Sequence, residues 1–298
     1  MQRPALLLAA MLLGTSAMAA TGHGKLLLTG GVSSIDGAAG GGLSPWALTG
    51  SYATAGEFGA TTFATRVVTG DYGLWVFGAA LSVNDRLELS VARQDLDTRD
   101  NLAPLGLAGL HLRQDILAVK LRLAGDGVLD TDTAWPQVAV GLERKQGHAG
   151  ALGPTLFGPL GARERGTDAY ISASKLFMST GVLTNLTLRA TRANQNGLLG
   201  FGGAQASRLQ LRPEISLARL LAKGLVIGAE YRAKPDNLNA SALGRGALAE
   251  DAWKDVFVAW APSKRCSLTA AWVDLGRIAP AVQPRRQHGA YLSVQWSP

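Results

Sequence analysis

The feature that most constrains this chain is a repeated alternation of apolar and polar residues in long stretches, with no apolar run of membrane-helix length anywhere after its first nineteen residues. Leu117, Val119, Leu121 and Leu123 alternate with Ala118, Lys120 and Arg122. Leu209, Leu211, Pro213, Ile215 and Leu217 alternate with Gln210, Arg212, Glu214 and Ser216. The same period runs through Leu87 to Val91, Val138 to Leu142, Leu186 to Ala190, Leu225 to Tyr231 and Ala290 to Trp296. A period of two is the mark of a strand, whose successive side chains point to opposite faces. A soluble sandwich alternates too, but its strands average about five or six residues, whereas a strand tilted across a bilayer needs about ten.

The start of the chain points to export. Arg3 supplies a positive charge, Ala5 to Leu13 an apolar core, and Ala17-Met18-Ala19 a small-residue cleavage site, so residues 1–19 read as a secretory signal. An apolar core this short covers about 14 Å at the helical rise, well under a hydrocarbon thickness of about 30 Å. An exported chain without a spanning helix can live in a membrane only as a closed β-barrel, in which every backbone polar group is paired. The expected location is the outer membrane of a Gram-negative bacterium.

Fourteen segments carry strand signals: 26–34, 46–54, 59–69, 72–83, 86–94, 113–123, 136–145, 167–177, 184–193, 208–218, 225–234, 254–261, 267–275 and 288–296. The expected fold is therefore all-β, a transmembrane antiparallel up-and-down barrel occupying residues 20–298. An even strand number places both termini on one side, and the connections mostly alternate between short and long. Gly30 and Gly31 interrupt the first segment. If residues 20–45 fold into the lumen, twelve wall strands are expected and one further segment is misassigned. Trp46, Trp75 and Trp253 fall near one end of their segments and Trp135, Trp260 and Trp296 near the other, as two aromatic girdles would. Pro213 cannot donate to a ladder, so a bulge is expected there.

If apolar positions face lipid, the opposite parity lines the interior. It carries Lys120, Arg122, Lys145, Arg189, Arg212 and Arg232 against Glu88, Glu143, Glu214 and Glu230, an excess of two cations that predicts weak anion preference in an open lumen. The alternative is that these charges pair with one another and close it. Arg93, Arg144 and Arg192 have lipid-face parity at the outer ends of upward strands, where each either snorkels into solvent or meets the phosphates of lipopolysaccharide.

Few residues suggest chemistry. His23, His111, His148 and His288 stand apart without companion cysteines, so no metal is expected. A hydrolase elbow of the form GxSxG is absent, and the glycine-rich 37–42 lacks the Lys-Ser/Thr ending of a phosphate loop. Asp95, Asp97, Asp100, Asp130 and Asp132 read as solvated loop acids, and Cys266 as a packing residue. Basic residues outnumber acidic ones by 29 to 22 but are scattered through the strands, unlike a nucleic-acid patch.

Gly24 to Thr54, Thr65 to Asp71 (TRVVTGD) and Asp85 to Gln94 (DRLELSVARQ) resemble a family of proteobacterial proteins catalogued as domain of unknown function 3034. The resemblance covers nearly the whole mature chain. It implies an outer-membrane barrel and supplies no activity or site residues. The expected function is a porin-like passage for small solutes. A closed structural or surface-interaction barrel is the alternative, and an outer-membrane enzyme the third reading; no catalytic residue, catalytic activity or cofactor is expected. Expected partners are outer-membrane lipid, lipopolysaccharide, the barrel assembly machinery that reads a C-terminal aromatic strand, and small solutes. The barrel is expected to be a monomer.

Overall fold

The computed structural model describes residues 27–28, 30–54, 56–125 and 135–298. The signal at 1–19 and most of the 124–135 connection lie outside the described residues. Twelve antiparallel strands close into a barrel. They are β1 (Phe58–Thr69), β2 (Gly73–Val83), β3 (Leu87–Asp97), β4 (His111–Ala124), β5 (Gln137–His148) and β6 (Arg165–Phe177). There follow β7 (Val182–Thr191), β8 (Gln210–Ala222), β9 (Leu225–Arg232), β10 (Trp253–Ser263), β11 (Cys266–Asp274) and β12 (His288–Trp296). Each strand pairs with its sequence neighbours, and β12 returns to β1 through Trp296↔Thr62 to Gly289↔Thr69. Closure leaves no unpaired edge, which an open sheet would expose to lipid.

The side chains are arranged inside out. Leu89, Leu117, Leu142, Ile171, Leu186, Ile215, Val258, Trp272 and Leu292 are exposed on the outer wall, while Ser90, Ser172, Thr187, Ser216, Thr269 and Ser293 are buried within. A soluble sandwich would bury those leucines and valines and expose the hydroxyls. The wall therefore presents a surface suited to hydrocarbon, with the polar parity turned to the lumen.

Fourteen strands were expected, or twelve with residues 20–45 in the lumen, and among the described residues the wall has twelve. Segments 26–34 and 46–54 are the two misassigned: the described part of each lies in the lumen. Residues 30–51 are buried at both parities, which no wall strand can be. The chain enters near the end that carries β1's start, with Leu28 N–H donating to Tyr52 Oη, and doubles back through a two-residue ladder of Val32–Ser33 with Ala39–Gly40. Glycine makes that fold possible. Gly31 has φ +69°, and a Cβ there would come within 2.7 Å of Gly40 O. The 37–42 run is thus the turn of a lumenal plug. Trp46 is buried in it, and Trp253 also faces inward, while Trp75, Trp135, Trp260 and Trp296 remain outside. The bulge expected at Pro213 is not there; the irregularity in β8 falls between Leu220 and Ala222. Pro213 accepts from Ala233 N–H beyond the last residue of β9, so its missing donor coincides with the end of that ladder.

Two apolar layers hold the plug. Toward the end that carries β1's start, Leu28, Val32, Trp46 and Leu48 pack on Leu176, Leu183, Val226 and Phe257. Toward the far end, Ile35 and Leu43 join Phe63, Val76, Leu112, Ile116 and Tyr291, and Leu198, Leu199, Leu238, Leu248 and Ile278 of the far-end loops complete the layer.

Candidate functional site

Between the two apolar layers lies a belt of charge centred on Asp36, at the tip of the plug. Its carboxylate is fully buried and meets three wall cations: Lys145 Nζ at 3.2 Å, Arg232 Nη1 at 2.9 Å and Arg189 Nη2 at 3.7 Å. Asn196 Nδ2 donates to Asp36 Oδ1 at 2.7 Å, and Asn196 Oδ1 accepts from both Lys145 and Arg232 at 2.8 Å. Burial alone would raise the Asp36 pKa, but Arg232, Lys145 and Arg189 outweigh it and hold the carboxyl well below the usual range. Plug tip, wall and a far-end loop therefore share one ionic knot.

The wall charges expected to line a lumen all face inward, and most of them pair with one another. Arg189 binds Glu143 at 2.6 Å and Glu214 at 2.5 Å. Lys145 also reaches Glu143 and Asp168, and Arg232 reaches Glu214 at 3.3 Å. Lys120 pairs with Glu88 at 3.1 Å and donates to Ala39 O of the plug at 2.7 Å. Glu88 in turn accepts from the plug N–H groups of Ala39 and Gly50. Glu230 accepts from Leu43 N–H and from Ser216 Oγ. Gly41 is built for this approach, since a Cβ there would land on the Glu230 carboxylate. Arg122, half-buried at the turn end, pairs with Asp85 at 3.2 Å, and Arg212 donates to Gln210.

The expected excess of two interior cations is not present. Asp168 on β6 and Asp255 on β10 are buried on the same parity. With Glu88, Glu143, Glu214 and Glu230 they make six wall acids against the six cations Lys120, Arg122, Lys145, Arg189, Arg212 and Arg232. The parity count that found Glu143 would have found both aspartates in 167–177 and 254–261. Asp36 and Asn196 carry no such signal, because neither sits in a periodic segment.

A second buried pair supports the knot from the far end. Asn196 belongs to a tight turn, Asn194–Gly197, in which Gln195 and Asn196 both have positive φ. Glu250 Oε2 accepts from Gln195 N–H at 2.9 Å, and Lys234 Nζ lies 3.5 Å from Glu250 and 3.6 Å from the Trp253 ring centre. Burial holds Lys234 down to about 7 and pushes Glu250 up to about 7. Near the other end, a cavity of about 30 Å³ lies beside Leu28, Val32, Trp46, Leu176 and Phe257.

The arginines expected at the lipopolysaccharide level lie outside. Arg93 makes a two-pronged contact with Asp115 of β4, at 2.6 and 2.8 Å, and Arg144 donates to Thr167 at 3.1 Å. Arg192 donates to Ser207 O at the base of a far-end loop.

Among solved structures, the chain is similar to the KdgM porin (TM-score 0.49, 9% identity, covering 79% of this chain and 98% of that one). It is likewise similar to the NanC porin (TM-score 0.49, 6% identity, 80% and 98%) and to outer membrane phospholipase A from Escherichia coli (TM-score 0.43, 9% identity, 80% and 92%). These are likenesses of build; the barrel itself rests on its own closed ladder. The expectation that the chain has no catalytic activity is withdrawn: an enzyme, outer membrane phospholipase A, stands among these likenesses of build. No curated protein sequence matches the chain. A family model does match from residue 29 to residue 295, spanning plug and wall together, and the chain belongs to the family described as protein of unknown function DUF3034.

Proposed function

We propose that this is a monomeric outer-membrane barrel of porin-like build whose passage is shut by its own N-terminal segment, and that it meets its surroundings through its lipid-facing wall and far-end loops. One observation carries this reading: Asp36, at the plug tip, is enclosed by Lys145, Arg189 and Arg232 of three different wall strands. Removing one partner of a buried ion pair costs about 3–5 kcal/mol, so the plug is held far more firmly than a mobile gate needs to be. In this reading residues 1–19 direct export, the β12 end with Trp296 is presented to the barrel assembly machinery, and both termini face the periplasm. The far-end loops then face outward, including an open hollow of about 390 Å³ beside Asp236, Asn239 and Arg245. Passage of small solutes would require the plug to leave. The wall left behind has balanced charge, which supports no anion preference.

The test is conductance of the purified, heat-modifiable protein in planar bilayers. The closed reading expects no single-channel steps from the unaltered chain. Steady steps of a single size would overturn it and restore an open channel.

A further inference from the structure

The outward residues of β3 to β6 change character toward the far end, at one level on β3 and β4 and one outward position earlier on β5 and β6, where Arg144 lies opposite Leu117. Moving toward the far end, Val91 gives way to Arg93, Leu117 to Asp115, Leu142 to Arg144 and Ala169 to Thr167. Above that boundary the strands carry Arg93, Asp95 and Asp97, Arg113 and His111, Arg144 and His148, and Arg165. The register sets them side by side: Arg93↔Asp115, Asp95↔Arg113, Arg113↔His148 and Gln146↔Arg165. On the flank, Arg66 of β1 lies over the Trp75 ring at 5.0 Å, and Trp75 stacks on Phe77. Both rings are exposed, and Phe77 is in register with Arg93.

Five arginines thus face three aspartates, Asp95, Asp97 and Asp115, on one arc of the outer wall. These aspartates leave much of the arginine capacity unused. Arg113 meets Asp95 through Nε, and Arg93 meets Asp115 through Nε and Nη2, while each guanidinium has five N–H groups. The opposite arc is different. There Leu211, Tyr231, Val256 and Trp272 carry apolar surface close to the far end, with Lys254 as the strand cation between them. A cationic tier directly above an apolar wall, bordered by exposed aromatic rings, matches a ligand with phosphate groups above several acyl chains.

We infer that the far-end half of β1 to β6 is a docking surface for a phosphorylated, multiply acylated outer-leaflet lipid of the lipopolysaccharide type. The arginine forks take its phosphates, and Trp75 and Phe77 lie along its chains. The inference rests on the membrane reading above and deepens it, replacing single contacts by Arg93, Arg144 and Arg192 with one continuous arc to which Arg192 is at most an edge.

The experiment uses the full folded chain in detergent and three probes: bisphosphorylated lipid A, the same lipid with its phosphates removed, and phosphatidylglycerol. Retention of each is read by native mass spectrometry. The expected result is retention of the bisphosphorylated lipid, reduced about tenfold or more when R93Q, R144Q and R165Q are combined, because three charged forks to its phosphates are then lost. K254Q, on the opposite arc, is expected to change nothing. Equal retention of the dephosphorylated lipid, equal retention of phosphatidylglycerol, or no loss in the triple variant would each overturn the inference. Failure of the chain to insert into lipid vesicles at all would instead overturn the membrane reading, so the two failures are separable.

Discussion

Asp36 and Asp115 are the same side chain set among the same kinds of partner, and their surroundings make them opposites. Asp36 touches one lysine and two arginines and is wholly enclosed. Asp115 holds Arg93 and His148 on the outer wall, with 41% of its side chain exposed. Inside, water cannot replace a lost partner, so each charge depends on all the others. Outside, water screens the pair and stands ready to solvate whatever is freed. The interior aspartate therefore fixes the position of a whole segment, while the exterior one arranges a surface that remains free to bind something else.

Substitutions at the two sites should separate widely. Asp36→Ala leaves Lys145, Arg189 and Arg232 without their shared carboxylate and should cost about 3–5 kcal/mol, read as a fall in the urea midpoint of the detergent-folded barrel. An unchanged midpoint would mean that the knot does not hold the plug. Asn196→Gly keeps the left-handed turn, since Asn196 has φ +62°, but removes the acceptor shared by Lys145 and Arg232. A loss of roughly 1.5–3 kcal/mol is expected in the same assay, and it should shrink sharply once Asp36 is already gone, because the two act on the same cations. Asp115→Ala should cost no more than about 1 kcal/mol. A loss as large as that at Asp36 would show that the outer pair is shielded from solvent after all.

The smallest effect concerns pH. Asp251 accepts from Arg277 N–H and Nε at 2.9 Å and lies 3.3 Å from Arg286, tying two far-end loops together. The hydrogen bonds from Arg277 are the main cause that holds its carboxyl down to about 2. A lowered carboxyl stabilises the folded loops above its unfolded value of about 3.9 and loses that contribution as pH falls toward the folded value. Pepsin cleavage within 275–287 should therefore rise between those limits, and Asp251→Asn should flatten the change. Cleavage that is flat in the unaltered chain would break the link.

The same contrast explains what could be read in the sequence. The wall was legible because each strand has one face against hydrocarbon and one against a polar interior, which writes a period of two into Leu117 to Leu123 or Leu186 to Ala190. The plug has no such asymmetry. Residues such as Ile35, Asp36 and Leu43 are buried on every side, and glycine turns replace periodicity, so 26–34 and 46–54 resembled imperfect strands. The inward charges were visible by parity at Lys145 and Arg232, but their partner Asp36 lies 109 and 196 residues away from them. Nothing local marks such a contact. Exterior charge was legible residue by residue, whereas its gathering on one arc appears only when β3 to β6 are laid in register.

The most direct test of a filled lumen is accessibility at Ser34, which is fully buried and whose hydroxyl makes no hydrogen bond among the described residues, so that a thiol fits in its place. With Cys266→Ser removing the native thiol, Ser34→Cys should resist a water-soluble maleimide in the folded barrel and react only after heat unfolding. Rapid labelling of the folded protein at that position would mean that water and solutes reach the middle of the barrel, and the passage would have to be called open.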